Sequence, residues 1–310
     1  MSIYKVFPLL LLLSAQAIAA DLLLPALSYR PETDWAFGGF YLKTFRLRDE
    51  LEDSRPSSYR LVGLMSLRGQ WGVQLFPELY LSDEKYRING ELGYYSLPDR
   101  FYGLGTDTSP SLYTGFATQF PRFRLIARRQ WDKKIGVGPV IEFEQRINQL
   151  RTTGELLGVN EARTLGLGVI LSYDTRDSIF FPKQGEFLEW SALMHSEAFV
   201  SQFSFSRFRL DLRKYFSYDF LESVLAVQHW MQWTLGDVPF TSLTTLGGSR
   251  VLRGYWEGRF RDRIGWATQA EYRFIVWQKI GAAVFGSLGS VANTFDQITK
   301  KNNSFCWIWN

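Results

Sequence analysis

Apolar and polar residues alternate along much of this chain. In residues 163–174 the positions Leu165, Leu167, Val169, Leu171 and Tyr173 share one parity, and Thr164, Gly166, Gly168, Ser172 and Asp174 share the other. The stretch RFRLDLR alternates without exception, with Arg207, Arg209, Asp211 and Arg213 set against Phe208, Leu210 and Leu212. Successive side chains of a strand point to opposite faces, so a period of two predicts strands with one greasy and one polar face. Residues 85–95 repeat the pattern, with Tyr86, Ile88, Leu92 and Tyr94 opposed to Arg87, Asn89 and Glu91. In residues 265–276, Trp266, Ala270, Tyr272, Phe274 and Val276 oppose Gln269, Glu271 and Arg273.

Less regular strand candidates cover residues 22–29, 35–46, 58–68, 70–81, 112–130, 135–147, 185–195, 221–235 and 279–292. The whole set numbers about thirteen, and almost all match the roughly nine to eleven residues that a tilted strand needs to cross a bilayer. A spacing of roughly 22 residues per strand and connection is wide for a small sandwich and suits a membrane barrel. Turn chemistry separates the candidates at Ser82-Asp83-Glu84, Pro98-Asp99, Asp132-Lys133-Lys134, Pro182-Lys183-Gln184-Gly185 and Asp237-Val238-Pro239. No internal repeat, linker or domain boundary interrupts this order.

Composition supports export into a membrane. Aromatics make up 16% of the residues, clustering toward strand ends at Tyr94-Tyr95, Phe101-Tyr102, Phe180-Phe181, Tyr215-Phe216 and Tyr218 as interfacial girdles would. Residues 1–19 have the basic start, short apolar run and small-residue end of a secretory signal peptide, and the run is too short to span as a helix. The single cysteine, Cys306, excludes a disulfide-held scaffold. Although the formal net charge is +4, export argues against a nucleic-acid partner. Two histidines, His195 and His229, fall inside strand candidates, and His195 and Ser196 would point to opposite faces, so no nucleophile–base pair, metal cluster or cofactor motif emerges.

Between two of the strands lies LGGSRVLRGYWEGRFRDR, residues 246–263, with arginines at 250, 253, 259, 261 and 263 against only Glu257 and Asp262. The triplet Arg253-Gly254-Tyr255, the following Glu271-Tyr272-Arg273, the segment Asp174-Thr175-Arg176-Asp177 with Gly185, and Phe101-Tyr102-Gly103-Leu104-Gly105 occur in an order that resembles the bacterial surface antigen family, the barrels of the BamA/TamA superfamily. This resemblance implies an all-β, antiparallel transmembrane β-barrel of sixteen strands by family architecture. About thirteen of them are present here, over residues 20–298. It also implies a loop folded back into the barrel, where Arg253, Gly254 and Tyr255 lock against Glu271 and Arg273. Inward glycines at 93, 136, 138, 166 and 168 would leave lumen space beside it.

The resemblance has a departure with physical weight. The family's usual acidic partner for the loop arginine is replaced, in Phe285-Gly286-Ser287-Leu288-Gly289, by Ser287. Arg253 is then expected to rely on Glu271, another acid, or hydrogen bonds to Ser287, and to be held less tightly. Residues 299–310 do not alternate, and the codon constraints of Trp307 and Trp309 suggest a shifted reading frame with roughly three closing strands missing. An incomplete, C-shaped barrel with unpaired edges is the expected consequence. The strands begin close behind the leader, which leaves no room for periplasmic POTRA domains.

The expected function is that of a non-enzymatic, monomeric protein in the outer membrane of a Gram-negative bacterium. Outer-membrane lipid surrounds it, and unfolded outer-membrane proteins are its clients for insertion or translocation. A passive pore or structural barrel is the alternative.

Overall fold

The computed structural model describes residues 21–47, 55–150, 156–179, 181–277, 280–300 and 308–309. The leader, Phe180, Cys306 and most of the C-terminal tail lie outside the described residues. Eleven strands follow one another first: β1 (Asp21–Arg30), β2 (Asp34–Phe45), β3 (Ser57–Ser66), β4 (Trp71–Leu81), β5 (Tyr86–Phe101), β6 (Thr114–Trp131), β7 (Ile135–Leu150), β8 (Glu161–Asp174), β9 (Gly185–His195), β10 (Phe205–Tyr218) and β11 (Ser223–Gly236). A small hairpin, β12 (Thr244–Leu246) with β13 (Phe260–Asp262), precedes the long strands β14 (Ile264–Trp277) and β15 (Ile280–Ala292). A short helix α1 (Phe295–Lys300) and the two-residue β16 (Ile308–Trp309) follow.

Each long strand pairs antiparallel with its neighbours in the order β1 to β11, β14, β15, β16. All of the expected strands are present with boundaries shifted by up to six residues; Pro98-Asp99, expected as a turn, instead lies within the β5–β6 ladder, and among the described residues no ladder joins β1 to β15 or β16. One end of the sheet carries tight turns, including Ser82-Asp83-Glu84 and Asp132-Lys133 with positive φ. The other carries the long connections 102–113 and 237–263. These will be called the turn end and the loop end.

Alternation sorts the side chains as the sequence demands. On β7 and β8, Val137, Ile141, Ile147, Val169 and Leu171 are exposed on the outside, while Val140, Glu142, Glu144, Asn148, Thr164, Ile170 and Ser172 are buried on the inside. Leu23, Leu27, Phe37, Leu61, Met65, Val73, Leu92, Phe123 and Met194 continue the exposed apolar surface around the sheet. So wide an apolar exterior is tolerated only against lipid. It is bounded by Trp35 and Trp71 at the loop end and by Tyr86, Trp131, Tyr173, Phe216, Tyr218 and Trp277 at the turn end.

The expected aromatic pairs divide between the faces. Tyr94 lies outside, stacked on Trp71 at 5.6 Å, whereas Tyr95 lies inside against Phe120 at 4.9 Å. Tyr102 and Tyr215 are buried rather than interfacial. The inward glycines also differ from expectation, because neighbouring side chains occupy the space released at Gly93, Gly136 and Gly166, and neighbouring backbone crowds Gly138 and Gly168. A Cβ at Gly166 would lie 2.5 Å from the His195 ring, and one at Gly93 would lie 2.7 Å from the Tyr95 ring.

Candidate functional site: the lumen loop and its anchors

The connection 237–263 folds onto the inner face of the sheet as a compact unit with a small core of its own. Leu246, Leu252 and Phe260 bury against Ala267 of β14 and Val291 of β15, with Trp230, Val251 and Tyr255 packed around them. Tyr255 meets Phe260 edge-on at 5.0 Å, so its ring packs into this cluster rather than wedging alone against the wall. Backbone bonds from Gly247 to Val251 and from Gly248 to Tyr255 close the loop on itself. Gly254 has φ +103°, a conformation that a side chain resists, and this explains the glycine between Arg253 and Tyr255.

At the tip of this unit, Arg253 reaches the wall. Its guanidinium lies 2.6 Å from Glu271 Oε2 and 4.0 Å above the Phe285 ring. Glu271 also accepts from Arg273 at 2.5 Å, so one carboxylate bridges the loop arginine and a strand arginine. The expected lock residues Arg253, Glu271 and Arg273 are therefore together, with Gly254 and Tyr255 shaping the approach. Ser287 takes no share: its Oγ and the Arg253 Nε are both buried without a hydrogen-bond partner.

Three further arginines of the loop, Arg259, Arg261 and Arg263, hold backbone and rings. Arg259 donates to the Thr108 carbonyl and hydroxyl and stacks 4.6 Å over Tyr102. Arg261 donates to the Phe240 carbonyl at 3.1 Å, and Arg263 to that of Gly236 at 2.8 Å. The connection 102–113 thus forms the second half of the plug, since Gly105 N–H donates to Arg261 O at 2.9 Å and the Thr106 hydroxyl donates to Val291 O at 3.0 Å. Trp256 Nε1 donates to Asp99 on β5 at 3.2 Å, and the Glu257 N–H donates to Glu32 in the β1–β2 turn. Thr106, Thr108 and Trp256 carried no mark in the sequence and Asp99 was read only as part of a turn; the glycines of the 101–105 motif were their nearest signal.

The other motif lies at the opposite, turn end. Arg176 grips Asp174 with two bonds of 2.8 Å, and Asp177 Oδ1 accepts from the Lys183 N–H at 2.9 Å. Slight desolvation opposes ionisation of Asp177, but the backbone N–H groups of Lys183 and Gln184 prevail and hold its carboxyl below the usual range. Gly185 has φ +102°, and a Cβ there would lie 2.3 Å from Thr175 O. These four residues shape the β8–β9 connection and touch none of the loop lock. His195 stacks on Phe205 at 3.9 Å inside the lumen, while His229 on the outer face shares a 2.9 Å hydrogen bond with Thr268.

Comparison with known proteins agrees with this architecture. The Omp85 superfamily domain matches residues 114–306, more than half of the chain. The structure of BamA from Haemophilus ducreyi lacking POTRA domains 1–3 superposes with a TM-score of 0.62 at 13% identity, covering 92% of this chain and 60% of that one. CdiB from Escherichia coli superposes with a TM-score of 0.58 at 9% identity, covering 93% of this chain and 54% of that one. The chain therefore spans less than two thirds of either protein's length. No curated protein matches the sequence.

Proposed function

The chain belongs to the Omp85 superfamily, and on that premise we propose that it is a Gram-negative outer-membrane barrel that inserts or translocates polypeptides. The two-loop plug controls access to its lumen. The observation that carries this reading is the Arg253–Glu271 contact of 2.6 Å, which ties the tip of a 27-residue lumen connection, residues 237–263, to a membrane-spanning strand. A forked guanidinium fixes orientation better than an ammonium would. Because its carboxylate is shared with Arg273 and the Arg253 Nε is left without a hydrogen-bond partner, the contact suits an element that must release as well as hold. Outer-membrane lipid is the solvent for the apolar exterior, and unfolded outer-membrane proteins are the clients the family membership favours.

Planar-bilayer recording tests the plug. Arg253→Ala should raise the frequency of channel openings above that of the parent chain, and Arg253→Lys should give an intermediate value. A parent chain that conducts steadily, with openings insensitive to either substitution, would support a passive pore instead.

A further inference from the structure

Near the turn end the inner face encloses a cavity of about 310 Å³ that no residue of the lumen loop lines. Seven lysine or arginine side chains line it, from β5, β6, the 132–134 turn, the 175–184 connection and residue 55, against three carboxylates, Glu84, Asp174 and Glu189. Two further carboxylates behind the wall serve lining arginines, Glu78 for Arg87 and Glu142 for Arg124. Seven cations less these five acids leave an excess of two positive charges around one hollow.

The arrangement is built rather than incidental. Arg128 is 6% exposed, held by Asn89 at 2.8 Å and Glu189 at 2.7 Å, and its Nε is buried without a hydrogen-bond partner. Lys134 lines the cavity from the turn and makes no side-chain hydrogen bond or ion pair among the described residues. Ser172 and Gln130 supply neutral polar groups on the same wall. Cations set on two strands and on the connections beside them, converging on one hollow of about 310 Å³, match a small oxyanion that accepts from many directions.

We propose that this cavity binds a phosphate-type dianion, either free phosphate or the phosphomonoester headgroup of a lipid. An excess of two charges suits a dianion, and a monoanionic carboxylate would leave one uncompensated. The site owes nothing to the plug, so it stands or falls separately from the functional reading above.

Calorimetric titration of the full chain in detergent micelles tests it, with inorganic phosphate, short-chain phosphatidic acid and acetate as probes in mildly alkaline buffer. Saturable one-to-one binding of phosphate or phosphatidic acid, with acetate weaker, is expected. Lys134→Gln, which removes no fold contact, should weaken that binding by about tenfold, the loss of one charged hydrogen bond. The double variant Lys133→Gln/Lys134→Gln should weaken it further, and Arg250→Gln in the lumen loop should leave it unchanged. Binding of inorganic phosphate assigns a free anion, and binding of phosphatidic acid alone assigns a headgroup. No heat at millimolar ligand, acetate equal to phosphate, or affinities indifferent to Lys134→Gln would each overturn the proposal.

Discussion

The inner wall of this sheet is made in two ways. Across β1 to β3 it is greasy: Leu22, Leu24, Ala26, Phe40, Leu42, Val62 and Leu64 lie on the strand parity that faces the lumen. Across β5 to β10 it is a web of charge. Arg122 of β6 reaches Glu91, Glu142 and Glu144 at 3.6, 3.7 and 3.3 Å, and Glu142 of β7 also takes Arg124 and Arg207, the latter from β10. Arg128 of β6 reaches Glu189 of β9 at 2.7 Å. Backbone ladders join only neighbours, but two of these pairs, Arg207–Glu142 and Arg128–Glu189, bridge strands separated by two others, which fixes the curvature as well as the register. Among the described residues the first three strands make no ion pair on their inner parity, where Arg60 lies over Phe76, and they depend on their ladders and half-buried aliphatic contacts. One wall is a scaffold, and the other is the more pliable part.

The difference can be broken most forcefully at its centre. Glu142→Gln strands Arg122, Arg124 and Arg207 without their shared counter-charge and should cost about 3–5 kcal/mol, as broken buried pairs do. Denaturant unfolding in detergent reads that loss. Arg253→Ala removes one charge-assisted contact and a ring stack, for about 1.5–3 kcal/mol of loop docking, seen as faster proteolytic nicking within residues 246–263. Ser287→Asp should work in the other direction, since a carboxylate there meets the orphaned Arg253 Nε. A gain of about 1 kcal/mol in unfolding free energy, cancelled in the Arg253→Ala background, would show the coupling. Leu24→Thr on the greasy wall should cost least, under about 1 kcal/mol, because a half-buried position loses little by gaining a hydroxyl. A Leu24→Thr loss equal to that of Glu142→Gln would erase the contrast between the walls.

The long strands were legible because a period of two persists over ten residues or more and a bilayer leaves little freedom in their length. The Arg253–Glu271 lock was legible through a motif resemblance supported by strand parity, which puts Glu271 on the polar face. The β12–β13 hairpin was not, since three-residue strands are too short to show a period. Nor were the anchors Asp99–Trp256 and Arg259–Thr108, whose partners lie 157 and 151 residues apart and meet only after the sheet has curved. The greasy inner parity of β1 to β3 was missed for another reason: alternation disappears when both faces are apolar, so those strands showed length without sidedness. The turn-end cavity was likewise hidden, because its charges come from five separate stretches of chain.

The central claim is that one parity of each strand meets lipid while the other encloses the basic loop. Single-cysteine spin labels along β8, in a Cys306→Ser background reconstituted into bilayers, test it most directly. Labels at Leu165, Leu167, Val169 and Leu171 should collide freely with dissolved oxygen, and those at Thr164, Ile170 and Ser172 should not. A label at Arg253 should be shielded from a bulky aqueous relaxation agent. Uniform oxygen access along β8, or an Arg253 label open to the aqueous agent, would contradict the account.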